Sequence, residues 1–409
     1  MAARPEALGL SSERLARIDA HLKRRYLDPG KIAGALTLVW RRGEIAWLSP
    51  VGLMDRERGK PMAEDTIFRI YSMTKPIASV ALMTLYEQGH FQLSDPVHKV
   101  IPEWRDLRVY RMGNHPRWLT VPCERPMSIR DLLTHTSGLT YGFMERTNVD
   151  RAYRKLGLGG RLGQRYEGIL EDFVSALSQL PLEFSPGTAW NYSVSTDIVG
   201  RLVEIYSGER FDEYLRRHLF EPLGMEDTGF FVPPEKLERF AACYDRGPGK
   251  KLRLQDDPEK SRYLEPPRFL SGGGGLVSTA HDYLRFSRAM LNGGELEGAR
   301  ILGRKTVELM TTNHLPGGAD LASLSVGLFS EVRNEGTGFG LGFSVNLDPA
   351  ANQGAGSVGE FAWGGAASTA FTIDPTEELI LIFMTQLMPS QTFDFRGQIK
   401  AIVHGAITD

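Results

Sequence analysis

Apolar positions along this chain of 409 residues follow two rhythms. Toward both ends they form short, nearly continuous runs rich in β-branched and aromatic side chains. Residues 34–40 (Gly-Ala-Leu-Thr-Leu-Val-Trp) and 44–48 (Glu-Ile-Ala-Trp-Leu) are two such runs, joined through Arg42-Gly43, and they predict a hairpin. A short extended run follows at 66–70. Strand patterns return at 339–347, 360–363, 367–373 and 379–385, with Asp374-Pro375 as a turn. Between these ends the apolar spacing lengthens to that of helices, predicted over 129–133, 166–180, 197–206 and 211–219, with others at 10–22, 283–291 and 395–403. Residues 105–125 and 246–267 are rich in Pro, Gly and charge, show no period and read as loops. The expected architecture is α/β in the α+β sense. One sheet flanked by helices is built from residues 1–90 and 270–409, a mainly helical region at 91–269 is inserted into it, and the site lies at their junction.

The run at 72–88 organises the chemistry. Its apolar positions Ile77, Val80, Ala81 and Leu85, closed by Gly89, read as a helix packed into a core, with Ser72 and Lys75 at its start. Three residues apart on a helix, these two side chains share a face. A hydroxyl is a poor nucleophile until a neighbour takes its proton, and a lysine takes it only where burial lowers its pKa. A helix-capping serine one turn before an exposed lysine has the same spelling, so other stretches must decide.

Two do. Phe184-Ser-Pro-Gly-Thr-Ala-Trp190-Asn-Tyr192 places a tyrosine in a turn-rich segment before a helix. A phenol near an ammonium is expected to lean toward its anion and relay protons; the plainer reading is a half-buried ring packed on Trp190. Phe361-Ala-Trp363-Gly364-Gly365-Ala366 puts glycines in a strand, where a ligand can approach an N–H, or where the sheet edge simply bulges. The run Gly272-Gly-Gly-Gly275 is not followed by Gly-Lys-Ser/Thr, so a close backbone approach or a bend is expected there rather than a phosphate cradle.

The net charge of −2, with both signs mixed, leaves no footprint for nucleic acid or an anionic membrane. The first ten residues lack the apolar run of a secretory signal and no later segment reads as a membrane span, so a cytoplasmic location is expected. Cys123 and Cys243 match no metal or redox spacing, and no His-Glu-x-x-His occurs; no metal or other cofactor is expected.

Together these elements resemble the serine β-lactamase and penicillin-binding-protein superfamily in its class C branch, and most of all the family VIII carboxylesterases. The resemblance covers nearly the whole chain in order: Ser72-Met-Thr-Lys75, Tyr192-Ser-Val194, and Trp363-Gly-Gly365 where lactamases carry Lys-Thr-Gly. Residues 127–138, 220–225 and 274–280 support it. It implies a β-lactamase/transpeptidase-like fold with an antiparallel sheet and a small-molecule ester as substrate. It also implies Ser72 as the acylated nucleophile, Lys75 as its base and Tyr192 as a partner in proton transfer. The N–H groups of Ser72 and Ala366 would form an oxyanion hole, and Trp363, Gly364, Gly365 and Val194 would bind substrate.

Two departures bear on the substrate. The resemblance leads one to expect an Asn at the position of Val194, to hold a substrate amide, and a Lys at that of Trp363, to hold a carboxylate. A site without them suits neutral esters of short to medium chain better than β-lactams, with weak lactam hydrolysis left open. The only Lys-Thr pair, Lys305-Thr306, is followed by Val307 in a helical context. Lactam or D-amino acid peptide cleavage, acyl transfer and a non-catalytic binding role are the alternatives on the same fold. A nucleophile elbow at Ala355-Gly-Ser357-Val-Gly359 is the rival site, lacking a strand-to-helix signature.

Overall fold

Arg42 and Gly43 take positive φ values of 49° and 101°, the conformation a two-residue connection needs to follow the twist of its strands. They join β1 (Gly34–Arg41) to β2 (Glu44–Asp55), which continues well past the stretch expected for it. The computed structural model describes residues 4–159, 166–327 and 329–409. Within them the sheet is completed by β3 (Lys60–Pro61), β4 (Thr337–Phe339), β5 (Ser344–Asn346), β6 (Phe361–Gly364), β7 (Ala370–Asp374) and β8 (Leu379–Thr385). The strand order is β4-β5-β6-β7-β8-β1-β2-β3, with antiparallel neighbours throughout.

Both faces of the central strands are covered, which is why they read as unbroken apolar runs. Leu36, Leu38 and Trp40 of β1, with Ile380 and Ile382 of β8, face the core that holds α1 (Thr74–Glu87). Ala35 and Val39, with Leu381 and Phe383, face the helices of residues 12–22 and the last helix of the chain. Helix α1 is buried from Thr74 to Leu85 without a polar face, because the sheet's core lies on one side and α2 (Ser195–Ser207) packs on the other.

Three expectations are corrected. Residues 339–347 form not one strand but the hairpin β4–β5. It turns at Gly342, whose φ is +93° and where any Cβ would collide with Ser79 of α1. Residues 105–125 are not a loop: Arg108–Asn114 pairs with Arg117–Pro122 as a ribbon tied to Leu182 by backbone bonds. The ribbon leaves Met112 and Leu119 exposed, so no alternation marks it. Residues 246–267 likewise include a strand, Leu252–Asp256, paired with Cys243–Arg246. The middle of the chain therefore mixes helices with small sheets. Among the described residues no helix is long and apolar enough to cross a membrane.

Candidate active site

Ser72 lies in a 3-10 turn, Tyr71–Met73, that runs directly into α1. In such a turn residues three apart nearly eclipse, so the side chains of Ser72 and Lys75 stand one above the other. Tyr71, immediately before Ser72, holds a φ of +42°, a conformation that costs an L-residue on the order of 1–2 kcal/mol. The two residues before it are held by hydrogen bonds. The Ile70 N–H donates to the Leu276 carbonyl at 3.1 Å, and the Gln386 side chain brackets Arg69 by accepting from its N–H and donating to its carbonyl.

Lys75 is 1% exposed, and its hydrogen-bond partners among the described residues are uncharged oxygens. Its Nζ lies 3.3 Å from Ser72 Oγ, 2.9 Å from Tyr141 Oη and 2.7 Å from the Gly273 carbonyl. Burial lowers its pKa to about 7, the charges of Asp197 and Glu331 opposing the fall. Near neutrality a large share of the side chain is therefore a free amine. Such an amine donates its two hydrogens to Gly273 and Tyr141 and turns its lone pair to Ser72.

Asp197, in the first turn of α2, holds the loop that holds the lysine. Its Oδ1 accepts from Ser271 Oγ at 2.6 Å and from the Gly273 N–H at 3.0 Å. The glycine run works by close approach: a Cβ on Gly272 would strike the Thr196 carbonyl, and one on Gly273 would come within 2.9 Å of Tyr141 Oη. The close backbone approach expected of the glycine run is the one Gly272 and Gly273 make, whereas no motif in the sequence marks Tyr141 or Asp197 as site residues. Both are remote along the chain from Ser72, and only folding brings them to it.

Tyr192 is placed beside Ser72, but not as a phenolate. Burial, reinforced by the charge of Glu331, pushes its pKa well above the ordinary value, with Ser72 and Trp363 opposing. Lys75 Nζ sits over the Tyr192 ring, 4.4 Å from its centroid, rather than at its hydroxyl. The phenol is thus a neutral O–H, and the expectation of an anion fails because desolvation, with the charge of Glu331, outweighs the pull of Ser72, Trp363 and Arg396. His135 packs edge-on against the same ring, and burial together with Lys75 holds it well below its ordinary pKa.

A cavity of about 100 Å³ opens over Ser72, lined by Tyr71, Tyr141, Tyr192, Val194, Phe329 and Ala366, with Phe143, Phe173, Phe269, Arg262 and Glu331 around them. It has room for a few water-sized groups. Trp363, Gly364 and Gly365, expected in its wall, lie behind it. Trp363 is fully buried in β6, tilted against Tyr192 with centroids 5.5 Å apart and edge-on to Phe339. A Cβ on Gly364 would collide with the Arg396 guanidinium, and one on Gly365 with the Ile70 carbonyl. Gly365 thus lets the chain just past β6 press against the residue that leads into the Ser72 turn, and Gly364 leaves room for Arg396. The N–H of Ser72 is among those opening a helix, which have no intrahelical acceptor.

Ser357 lies in a loop outside this cavity, its N–H given to Asp374. Also outside it, Glu360, Asp374 and His404 bring one ligand atom each within 4.8 Å of one another. The Lys400 ammonium donates to Glu360, and His404 Nε2 faces both carboxylates, so two basic side chains already occupy this cluster.

The profile of the family described as Beta-lactamase matches residues 20–404. Protein Rv1367c of Mycobacterium tuberculosis is 37% identical over 374 residues, 91% of this chain and 90% of its own. Esterase EstB of Burkholderia gladioli is 34% identical over 397 residues, 93% of each chain. Among solved structures, EstCE1, described as a hydrolase with promiscuous acyltransferase activity, superposes with a TM-score of 0.80 at 25% identity, over 97% of this chain and 99% of its own.

Proposed function

The chain belongs to the Beta-lactamase family, groups with the family VIII carboxylesterases and is a serine hydrolase of the esterase type, and we propose that it cleaves short- to medium-chain carboxylic esters through an acyl-enzyme on Ser72. The observation that carries the reading is the buried Lys75 amine, near neutrality in its free form, 3.3 Å from Ser72 Oγ. In the first half-reaction Lys75 takes the Ser72 proton as Oγ attacks the ester carbonyl. The N–H groups of Ser72 and Ala366 receive the charge that develops on the carbonyl oxygen. The neutral Tyr192 hydroxyl passes a proton to the departing alkoxide and regains one from Lys75, so the alcohol leaves and the acyl group stays on Ser72. Water then attacks the acyl-enzyme with the same groups acting in reverse, which releases the acid and restores the serine.

The substrate follows from the wall. Val194 offers no amide partner, and the surroundings are mostly aromatic, so neutral esters fit better than anionic lactams. Acyl transfer to an alcohol is the second reading, supported by the similarity to EstCE1 and by an apolar wall that would shelter an organic acceptor. Adding an alcohol during turnover and measuring the partition between new ester and acid separates the two.

The test of the main reading is the hydrolysis of p-nitrophenyl butyrate by Ser72→Ala and Ser357→Ala. The expected result is loss of activity and of the acyl adduct in the first and retention in the second. Full activity in Ser72→Ala would contradict the reading.

A further inference from the structure

One carboxylate in the cavity wall has no place in this mechanism. Glu331 is 2% exposed and lines the space over Ser72 together with Tyr192 and Ala366. Its Oε2 accepts from Arg396 Nη2 at 2.5 Å, and its carbonyl accepts from Nη1 of the same guanidinium. Arg396 is anchored in turn by donating to the carbonyls of Gly365 and Thr369, each at 3.1 Å. The carboxylate is thus fixed in orientation and balanced in charge. Its other oxygen, Oε1, is buried and has no hydrogen-bond partner among the described residues.

A buried acceptor left without a donor is unfavourable, and native proteins keep such atoms mainly where a ligand or water completes them. Glu331 lines the same cavity as Ser72, and its charge reaches Lys75, Tyr141 and Tyr192. Val194 and Phe329, in the same wall, offer no polar side-chain atom. In a mostly aromatic wall that also holds Arg262, Asp197 and Ser271, a fixed acceptor is one of the few placed polar groups that set a substrate's orientation.

We propose that Glu331 is a specificity-determining residue whose Oε1 accepts a hydrogen bond from a hydroxyl or amino group of the ester substrate, near the scissile bond. Because Arg396 already neutralises the carboxylate, the preferred partner is a donor group and not necessarily a cation. A substrate lacking the donor leaves Oε1 unpaired in the complex, and this is the kind of mismatch that polar sites reject strongly. The inference rests on the esterase reading above.

The experiment compares two matched pairs on the full chain. One carries the donor in the acyl part, p-nitrophenyl β-hydroxybutyrate against p-nitrophenyl butyrate. The other carries it in the alcohol, hydroxyethyl butyrate against propyl butyrate. The proposal expects kcat/KM to favour the donor-bearing member of at least one pair by about tenfold or more. Glu331→Gln keeps a carbonyl oxygen for Arg396 and turns an NH2 toward the substrate, so the preference should fall to near unity. Parity in both wild-type pairs, or a preference unchanged in Glu331→Gln, would overturn the proposal. If the variant does not fold, the wild-type ratios decide alone. Turnover of no ester at all would instead overturn the esterase reading, whereas hydrolysis of the plain esters at parity would sink only the role of Glu331.

Discussion

Two buried cations flank Ser72 in the chain, Arg69 and Lys75, and their surroundings differ in one respect. The Arg69 guanidinium, fully buried, bonds the Asp256 carboxylate at 2.7 Å, the Ala241 carbonyl at 2.6 Å and Ser261 Oγ at 3.2 Å, and it stacks 4.0 Å over Phe240. Lys75, equally buried, bonds no carboxylate among the described residues. Burial opposes the charge on both. At Arg69 the paired Asp256 helps keep the pKa above its ordinary value, while at Lys75 two more distant carboxylates only soften a fall to about 7. From an ordinary lysine value near 10.5, that fall corresponds to on the order of 5 kcal/mol between the two protonation states. The lesson is that a buried cation with a bonded carboxylate is a strut, and one with only neutral oxygens around it is a base.

The same substitution at the two positions should therefore break different things. Lys75→Met removes a buried amine with no bonded carboxylate to strand and keeps its volume, so the protein stays folded while kcat/KM falls about 10³-fold or more, the upper range for a proton-transfer group. The burst of p-nitrophenol and the melting curve read the two halves of that statement. Arg69→Met strands Asp256, the Ala241 carbonyl and Ser261 Oγ, and should cost about 3–5 kcal/mol of stability, read as a lower urea midpoint. An active-site loss in Arg69→Met without a loss of stability would dissolve the contrast.

What the sequence revealed tracks how local each feature is. Ser72 and Lys75 were legible because three residues along one turn fix their geometry before any packing occurs. The β1–β2 hairpin was legible because two adjacent residues set it. Asp197, Tyr141 and the Gly273 carbonyl act on Lys75 only after α2 and the glycine loop fold over α1, so no spacing announces them. Trp363 was misplaced for a related reason. An aromatic before two glycines looks like a pocket wall, but the glycines are there to admit Arg396 and the Ile70 carbonyl, and the indole backs Tyr192 from inside the core. The hairpin of residues 108–122 was hidden because both of its faces carry polar and apolar side chains alike.

A smaller effect sharpens the comparison from the side of Lys75. Asp197→Asn keeps an oxygen to accept from Ser271 and Gly273 but removes the charge that raises the lysine's pKa. The acid limb of the rate profile should move to lower pH, with a loss in kcat/KM of about tenfold or less. A limb that stays where it was would mean that Asp197 acts through geometry alone.

The wild-type pH profile tests the central claim most directly. Protonated Lys75 has no lone pair for Ser72, so kcat/KM for p-nitrophenyl butyrate should level off above neutrality and fall tenfold per unit below a midpoint of about 7. A rate unchanged down to about pH 5, or one that rises only through the ordinary lysine range near 10.5, would contradict the assignment of Lys75 as the base.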